Sequence, residues 1–390
     1  AARVLAAGVI FTSSGGYGIR QIVEGLPTWR TFSSVEGGPG TGKTVVAINL
    51  MVDIIAEGFT CKYVTKNAAP RAVYESKLTK TMKKTQISNL FSGSGSFIDS
   101  EDSDFDLLVV DEAHRLNAKS GLFKNLGENQ IKELIKASKT VVFFLDEDQR
   151  VTLSDIGEKH EIYKWAEFYE ANVIDYKLSS QFRCNGSDGY LAWLDNVLQI
   201  SETANYSIND IDYEFSVFDS ALSLRDIIFE KNVASNKARL VAGYCWKWIS
   251  KSKQSEYDIV IDDFKMKWNL ASEGSLWILS PCSVNEVGCI HTCQGLELDF
   301  VGVIIGPDLI VRNGKIITDY SKRDSQDSSL RGIKKLVKFD ENKALELADE
   351  KVIMFGKLQA LEGKKRATFM ENSPLKTVYV FKSRQNPLRN

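Results

Sequence analysis

The chain has 390 residues, of which 43% are hydrophobic and 26% are charged, a composition that excludes wholesale disorder and allows two or three domains with their own cores. The formal net charge of −2 excludes a general electrostatic attraction to polyanions, so a nucleic-acid contact requires a local groove. No run approaches the ~20 consecutive apolar residues that a membrane-spanning helix requires, so no membrane partner is expected.

The first segment, residues 1–11, is apolar apart from Arg3. It resembles the end of a signal peptide, but a strand or helix packed on the first lobe is the favoured interpretation. The chain lacks an initiator Met, and we expect an upstream region in which a nuclease or another domain could lie.

Six cysteines in a chain of this length do not form the dense framework of a disulfide-stabilised secreted domain. Reduced thiols and a cytoplasmic location are the simpler expectation. Three of these cysteines, Cys282, Cys289 and Cys293, lie close to His291 in the sequence. Their spacing lacks the paired C-x2-C pattern of a structural zinc site, so a metal there is not the favoured interpretation.

In the first half, short apolar runs alternate with longer helical patterns, which is typical of buried parallel strands joined by crossover helices. Strands are predicted at residues 32–35, 62–64, 107–110, 141–145 and 173–174. Four of these runs end directly against polar or acidic motif residues. Open α/β sheets bind ligands at the carboxyl ends of their strands, so this placement fits a nucleotide site.

After a polar stretch at residues 201–212, a second set of apolar runs predicts a second sheet. These strands are predicted at residues 240–244, 259–261, 276–279, 301–305 and 378–381. The polar segments 93–106 and 319–329 are predicted to be surface loops. The sequence therefore predicts an α/β protein with two lobes, residues 1–178 and 179–390, each a mainly parallel sheet flanked by helices.

The strongest motif is GGPGTGKT at residues 37–44, which matches the G-x-x-x-x-G-K-[ST] pattern of a phosphate loop. It lies between the strand predicted at 32–35 and an amphipathic helix predicted at 45–56. Gly58 is expected to terminate this helix. The glycines let backbone amides approach a phosphate near the helix N-terminus, Lys43 adds charge at the outer phosphates, and the Thr44 hydroxyl ligates Mg²⁺. The predicted nucleotide-binding residues of this loop are Gly38, Pro39, Gly40, Thr41, Gly42, Lys43 and Thr44.

The expected partner motif is LLVVDEAH at residues 107–114, a buried strand that delivers two carboxylates to the same edge of the sheet. Asp111 would hold Mg²⁺ through water, and Glu112 would act as the general base that polarises the attacking water. A helix cap is the alternative interpretation of such an Asp-Glu pair. Together with the phosphate loop, the pair predicts hydrolysis of ATP with Mg²⁺.

Three weaker segments extend this prediction from an ATPase to a motor. Gln149, after the strand at 141–145, would sense the γ-phosphate, and Arg183 in LSSQFR would be an arginine finger from the second lobe. The segment IHTCQGLELD at residues 290–299 would couple the nucleotide state to a bound strand. Taken singly, a helix cap, a surface arginine and a polar turn are the alternatives.

The ordered motifs GGPGTGKT, VVDEAHRL, LDEDQ, LSSQFRCN and IHTCQGLELDFVGVIIG resemble those of superfamily 1 helicases. The closer resemblance is to the bacterial ATPases grouped with the helicase domain of group III Schlafen proteins, and it covers residues 34–333. It implies two RecA-like lobes with ATP between them and single-stranded nucleic acid running across both. The residues that it places at the ATP site are Lys43, Thr44, Asp111, Glu112, Gln149, Arg183 and Glu297, with Gln21 as an adenine reader.

The chain departs from this family pattern at the last helicase motif. Superfamily 1 helicases carry a second catalytic arginine there in a T-R-G or T-R-A pattern, whereas residues 363–368 read GKKRAT. Arg366 takes that place, or residues are missing from the sequence at this point, or the site is incomplete. Nucleotide binding is therefore better supported than hydrolysis.

The nucleic-acid contacts are expected after the second strand, where superfamily 1 proteins touch the backbone of the bound strand. Polar side chains there can meet phosphates while small residues allow close approach. The expected contact residues are Thr65, Lys66, Asn67 and Arg71, with His291 and Thr292 from the coupling segment. Three tryptophans, Trp246, Trp248 and Trp268, could stack on bases, but core packing is the favoured interpretation.

The favoured function is an ATP-dependent translocase or helicase acting on single-stranded DNA or RNA. One alternative is an ATP-dependent switch or sensor module that binds nucleic acid or a protein without processive movement. Another is a nuclease with an ATPase accessory lobe. Stimulation of ATP turnover by nucleic acid distinguishes the translocase or helicase from the switch or sensor module.

Overall fold

The computed structural model of the chain divides into two compact units. The first unit comprises residues 1–150 and 154–180, and the second comprises residues 151–153 and 181–390. The residues that the structure describes are 30–79, 82–121, 125–150, 152–179, 188–208, 214–269, 274–293, 298–313, 315–325, 327, 329–361, 363–368 and 377–382.

The first unit is built on a six-stranded sheet in which every pairing is parallel. Its strands are β1 (Thr31–Gly37), β2 (Cys61–Thr65), β3 (Phe91–Ser92), β4 (Phe105–Asp111), β5 (Ser138–Leu145) and β6 (Asn172–Leu178), in the spatial order β3-β2-β4-β5-β1-β6. The helices are α1 (Lys43–Ala56), α2 (Ala68–Leu78), α3 (Lys84–Leu90), α4 (Gln130–Lys136) and α5 (Lys159–Phe168). All five strands predicted in this half are present; the two-residue β3 was not predicted.

Helices cover both faces of this sheet because the central strands are apolar on both sides. Alternate residues of a strand point to opposite faces. Leu107 and Val109 of β4 pack in the same cluster as α1, whereas Leu108 and Val110 pack with α4. By the same alternation Asp111, at the end of β4, lies on the α1 face, beside the helix that begins with the phosphate-loop lysine.

The second unit contains a mixed eight-stranded sheet. Its strands are β7 (Glu214–Val217), β8 (Ala238–Ala242), β9 (Ile259–Ile261), β10 (Phe264–Trp268), β11 (Glu286–Gly288), β12 (Leu298–Ile305), β15 (Gly363–Thr368) and β16 (Thr377–Lys382), in the order β15-β7-β16-β12-β8-β11-β10-β9. The central strands β12, β8, β11 and β10 are parallel, while β9 and β16 pair antiparallel with β10 and β12. A separate hairpin consists of β13 (Leu309–Arg312) and β14 (Lys315–Thr318).

The described part of the second unit contains five α-helices. They are α6 (Asp188–Val197), α7 (Ala221–Ser235), α8 (Ile290–Cys293), α9 (Ile333–Val337) and α10 (Glu341–Leu361). Leu224 and Ile228 of α7 pack on the central strands, and Trp268 is buried in the same core, with Trp246 and Trp248 packed against it. None of the described helices has the length and apolar character needed to cross a bilayer. The α/β prediction with two sheets is therefore confirmed.

Three local predictions were wrong. The segment 93–106 is not simply a surface loop, because it contains the 3₁₀ helix Ser94–Phe97, in which Ser94 and Phe97 are buried, and the start of β4 at Phe105. Residues 276–279 were predicted as a strand but lie in a 3₁₀ helix, Gly274–Leu279, in which the buried Trp277 indole donates to Glu286 Oε2 at 2.8 Å. A short apolar run has too few residues for its periodicity to separate helix from strand. The segment 319–329 is not simply a surface loop, because Arg323 is buried in it and ion-paired with Asp308 and Asp327.

Candidate nucleotide-binding site

The phosphate loop joins the end of β1 to the start of α1 in the first unit. Gly40 and Gly42 have positive φ angles of 78° and 85°, a left-handed conformation that side chains with a Cβ rarely adopt. The Thr41 hydroxyl donates to the Gly38 carbonyl at 2.9 Å and tightens the turn. The two glycines therefore permit the sharp backbone path that leads into the N-terminus of α1.

Lys43 is almost fully buried, and its ammonium group is folded back over the loop. Its Nζ donates to the carbonyl oxygens of Gly37 and Gly38 at 2.5 and 2.9 Å. It also lies 3.9 Å from Oδ2 of Asp146, the residue that follows β5. The lysine charge is thus held at the mouth of the loop, where an outer phosphate of a bound nucleotide would meet it.

Thr44 and Asp111 lie side by side at the C-terminal edge of the sheet. The Thr44 hydroxyl donates to Asp111 Oδ2 at 2.6 Å, and the Glu112 backbone N–H donates to Oδ1 at 2.9 Å. The Tyr63 hydroxyl on β2 also donates to Oδ2. The paired oxygens of Thr44 and Asp111 are the hard ligands that Mg²⁺ prefers, so these residues fit a metal beside the loop.

The ionisable groups around Asp111 perturb one another. Burial, and then the neighbouring Glu112 charge, raises the pKa of Asp111, while hydrogen bonds from Thr44 and Tyr63 oppose the shift. Burial, and then the Asp111 charge, raises the pKa of Tyr63 well above its usual value. The Tyr63 phenol therefore stays protonated and is the donor in this contact.

Glu112 occupies a strained position directly after β4. Its φ of 54° and ψ of 41° put a residue with a Cβ in the left-handed region, which costs energy and is common at functional sites. Its carboxylate Oε2 lies 3.0 Å from Nε2 of His114, whose side chain is fully buried. The backbone therefore turns at Glu112 and presents the carboxylate beside the imidazole ring.

His114 and Asp146 link this carboxylate to Gln149. The Asp146 backbone N–H donates to His114 Nδ1 at 3.2 Å, and Gln149 Nε2 donates to Asp146 Oδ2 at 2.6 Å. The structure thus brings together Lys43, Thr44, Asp111, Glu112 and Gln149. No role was predicted from the sequence for Tyr63, His114 or Asp146. His114 stands in the LLVVDEAH motif and Asp146 directly follows a predicted strand that leads to Gln149, whereas Tyr63 belongs to no motif.

The expected nucleic-acid residues of the first unit follow β2, and their polar groups make internal contacts. Lys66 Nζ lies 3.1 Å from both Asn117 Oδ1 and the buried Asp155 Oδ1, and Arg115 Nε lies 3.0 Å from Asp155 Oδ2. Lys66 is therefore already part of a charge network. In addition, Thr65 and Asn67 are buried, and partly exposed Arg71 lies 3.8 Å from Glu75.

In the second unit, His291 and Thr292 lie in the short helix α8. The Thr292 hydroxyl donates to the Cys289 carbonyl at 2.7 Å and accepts from the Cys289 N–H at 3.0 Å, so it is bonded to the residue that precedes the helix. Arg366 lies in β15, which pairs with β7, β12 and β16. Three expected ATP-site residues, Gln21, Arg183 and Glu297, lie outside the described residues.

The comparisons with known proteins place most of the chain in one family. The family described as Schlafen group 3, DNA/RNA helicase domain matches residues 30–354. Uncharacterized protein YPL245W of Saccharomyces cerevisiae is 26% identical over 224 residues, which are 52% of this chain and 49% of that protein. The chain therefore spans about half the length of this curated relative.

Solved helicases share a weaker likeness. The Pif1 helicase from Candida albicans is 13% identical over 57% of this chain and 54% of its own, with a TM-score of 0.32. The Bacteroides Pif1 helicase in complex with ADP-AlF3 and ssDNA is 12% identical over 58% of each chain, with a TM-score of 0.28. At such TM-scores the chains do not superpose as wholes, so the family match alone carries the assignment. It confirms the resemblance that the motifs indicated.

Proposed function

This chain belongs to the Schlafen group 3 DNA/RNA helicase-domain family, and we propose from this premise that it is an ATP-dependent translocase or helicase of superfamily 1 type. The observation that carries the proposal is the convergence of the phosphate loop, Asp111 and Glu112 at the C-terminal edge of one parallel sheet. Ligands of open α/β sheets bind at that edge. We further propose two RecA-like lobes, residues 1–178 and 179–390, and a cytoplasmic location.

Each group at this edge has a proposed part in ATP hydrolysis. Lys43 exchanges its loop carbonyls for outer phosphate oxygens, while Thr44 and Asp111 hold Mg²⁺, which supplies charge neutralisation at the phosphates when bound. Glu112 polarises the attacking water as general base. Gln149 senses the γ-phosphate from its place beside Asp146, and the loop residues Gly38 to Gly42 direct their amides to the phosphates.

The remaining ATP-site residues are proposed from the family resemblance. Arg183 acts as an arginine finger that neutralises charge in the transition state. Glu297 belongs to the same site, and Gln21 reads the adenine. Arg366, in the segment that departs from the last helicase motif, is the candidate for the second arginine.

The proposed partner is single-stranded nucleic acid, either DNA or RNA. Thr65, Asn67, Arg71, His291 and Thr292 are proposed to contact it. Lys66 is proposed to contact it as well, and its ammonium group would leave its pair with Asp155 to meet a phosphate.

Measurement of ATP turnover tests this function. The assay compares wild-type protein with no polymer, single-stranded DNA, single-stranded RNA and duplex, with Lys43→Ala as the background. A many-fold rise in turnover with a single-stranded polymer is the expected result. Turnover that stays flat with every polymer would favour a switch or sensor module, and turnover equal to the Lys43→Ala background would refute an ATPase.

A further inference from the structure

Tyr63, in the middle of β2, belongs to none of the motifs, yet its hydroxyl donates a hydrogen bond to Oδ2 of Asp111. We propose that Tyr63 is a positioning residue for the metal-binding carboxylate: its hydroxyl holds Asp111 in the orientation that binds Mg²⁺ beside the nucleotide. This inference rests on the proposed function, since that function assigns Asp111 to Mg²⁺. Three structural features support it.

The pairing of β2 with β4 explains how a mid-strand residue reaches the end of the neighbouring strand. The two strands are parallel, with Tyr63 opposite Val109 and Thr65 opposite Asp111. Side chains two positions apart lie on the same face, so Tyr63 and Asp111 share the α1 face with a step of about 6.6 Å between them along the strand. The phenol ring spans this step and places its oxygen at the sheet edge.

The ring of Tyr63 is held from two sides. It is 1% exposed and makes edge-to-face contacts with Tyr74 of α2 and Phe91 of β3, at centroid distances of 6.1 and 5.5 Å. A close-packed ring cannot swing away without opening the core around it. A buried phenol also needs a partner for its hydroxyl, and Asp111 provides the acceptor. The hydroxyl is therefore fixed at one point relative to β4.

The Asp111 carboxylate accepts hydrogen bonds from three different parts of the fold. Thr44 at the start of α1 and Tyr63 on β2 donate to Oδ2, and the Glu112 N–H donates to Oδ1. Thr44 belongs to the phosphate loop and is itself a proposed metal ligand. Tyr63 is the donor anchored in the sheet, so it holds the carboxylate independently of what the loop binds. Such outer donors orient metal ligands and tune their affinity.

The variant Tyr63→Phe tests the inference, because it removes one oxygen and keeps the packed ring. The experiment titrates the full chain with a fluorescent ADP analogue, first without Mg²⁺ and then across a Mg²⁺ series. We expect the affinity for the ADP analogue without Mg²⁺ to stay within about two-fold of wild type. The Mg²⁺ concentration for half-maximal effect should rise about 10-fold, which is the lower end of the range for loss of a hydrogen-bond donor to a metal ligand. A Mg²⁺ requirement equal to that of wild type would overturn the inference.

Tyr74→Phe is the matched control, because it removes a hydroxyl from the neighbouring ring. We expect it to keep the wild-type Mg²⁺ requirement, and an equal shift in both variants would indicate a general packing effect and overturn the role of Tyr63. The wild-type titration separates the two proposals. If wild type responds to Mg²⁺ and Tyr63→Phe matches it, only the inference about Tyr63 falls. If nucleotide binding by wild type does not respond to Mg²⁺, the proposed metal site is contradicted together with the inference about Tyr63.

Discussion

His114 Nε2 lies 3.0 Å from Glu112 Oε2, while the other ring nitrogen of His114 accepts the Asp146 backbone N–H. Because Nδ1 is the acceptor, the proton of the neutral ring is on Nε2, the atom that faces the carboxylate. Gln149 in turn donates to the Asp146 side chain. The buried imidazole of His114 therefore lies between the proposed general base and the segment that carries the proposed γ-phosphate sensor.

This connection predicts that His114 influences turnover without binding nucleotide. His114→Ala should lower kcat by roughly 10-fold, as expected for a group that orients a catalytic one, while ADP affinity stays near the wild-type value. His114→Gln places an amide nitrogen where Nε2 lies, so it should recover part of the loss. The checks are steady-state kinetics and ADP titration; equal kcat values for wild type and His114→Ala would contradict the orienting role.

Lys43 and Glu112 are expected to fail in different ways. Lys43→Ala should abolish turnover, because the charge that faces the outer phosphates is gone. Glu112→Gln should bind ATP but hydrolyse it roughly 10²- to 10⁴-fold more slowly, the usual contribution of a general base. ATP binding and single-turnover hydrolysis distinguish the two variants. Lys139→Ala, which removes an exposed lysine from the start of β5, is the control and should behave as wild type.

Arg183 is expected to act in the transition state. Arg183→Ala should lower the rate of hydrolysis by about 10³-fold if the residue is an arginine finger, with little change in ATP affinity. Hydrolysis rates measured at saturating ATP test this prediction. Arg225→Ala, which removes a partly exposed arginine paired with the adjacent Asp226, is a suitable control. An unchanged rate in Arg183→Ala would remove the arginine-finger role.

Asp155 is expected to contribute to stability. Its side chain is fully buried and pairs with both Lys66 and Arg115. Asp155→Ala would leave the buried Arg115 charge without this carboxylate, which costs about 3–5 kcal/mol for buried pairs. Lys139→Ala, which breaks a more exposed pair with Asp106 and leaves the Thr60 hydrogen bonds to Asp106 in place, should cost less than about 1 kcal/mol. Urea unfolding of both variants measures the difference, and equal losses would show that the Asp155 network is not stabilising.

Short motifs that can be identified in the amino-acid sequence set the local chemistry of the site. The phosphate loop at residues 37–44 can be recognised from its glycines, lysine and threonine. Its glycine positions are restrictive, because Gly40 and Gly42 adopt positive φ angles that other residues rarely adopt. The apolar run before Asp111 predicted the strand that carries this carboxylate to the sheet edge. Both signals are readable because they depend on neighbours in the chain.

The residues that support that chemistry come from distant parts of the chain and meet only in the fold. Tyr63 is 48 residues from Asp111, and His114 is 32 residues from Asp146. Lys66, expected at a nucleic-acid surface, pairs with Asp155, which is 89 residues away. Strand order and register bring these pairs together. Neither can be predicted from local composition or periodicity, because side chains that meet across a sheet are not separated by a fixed number of residues along the chain.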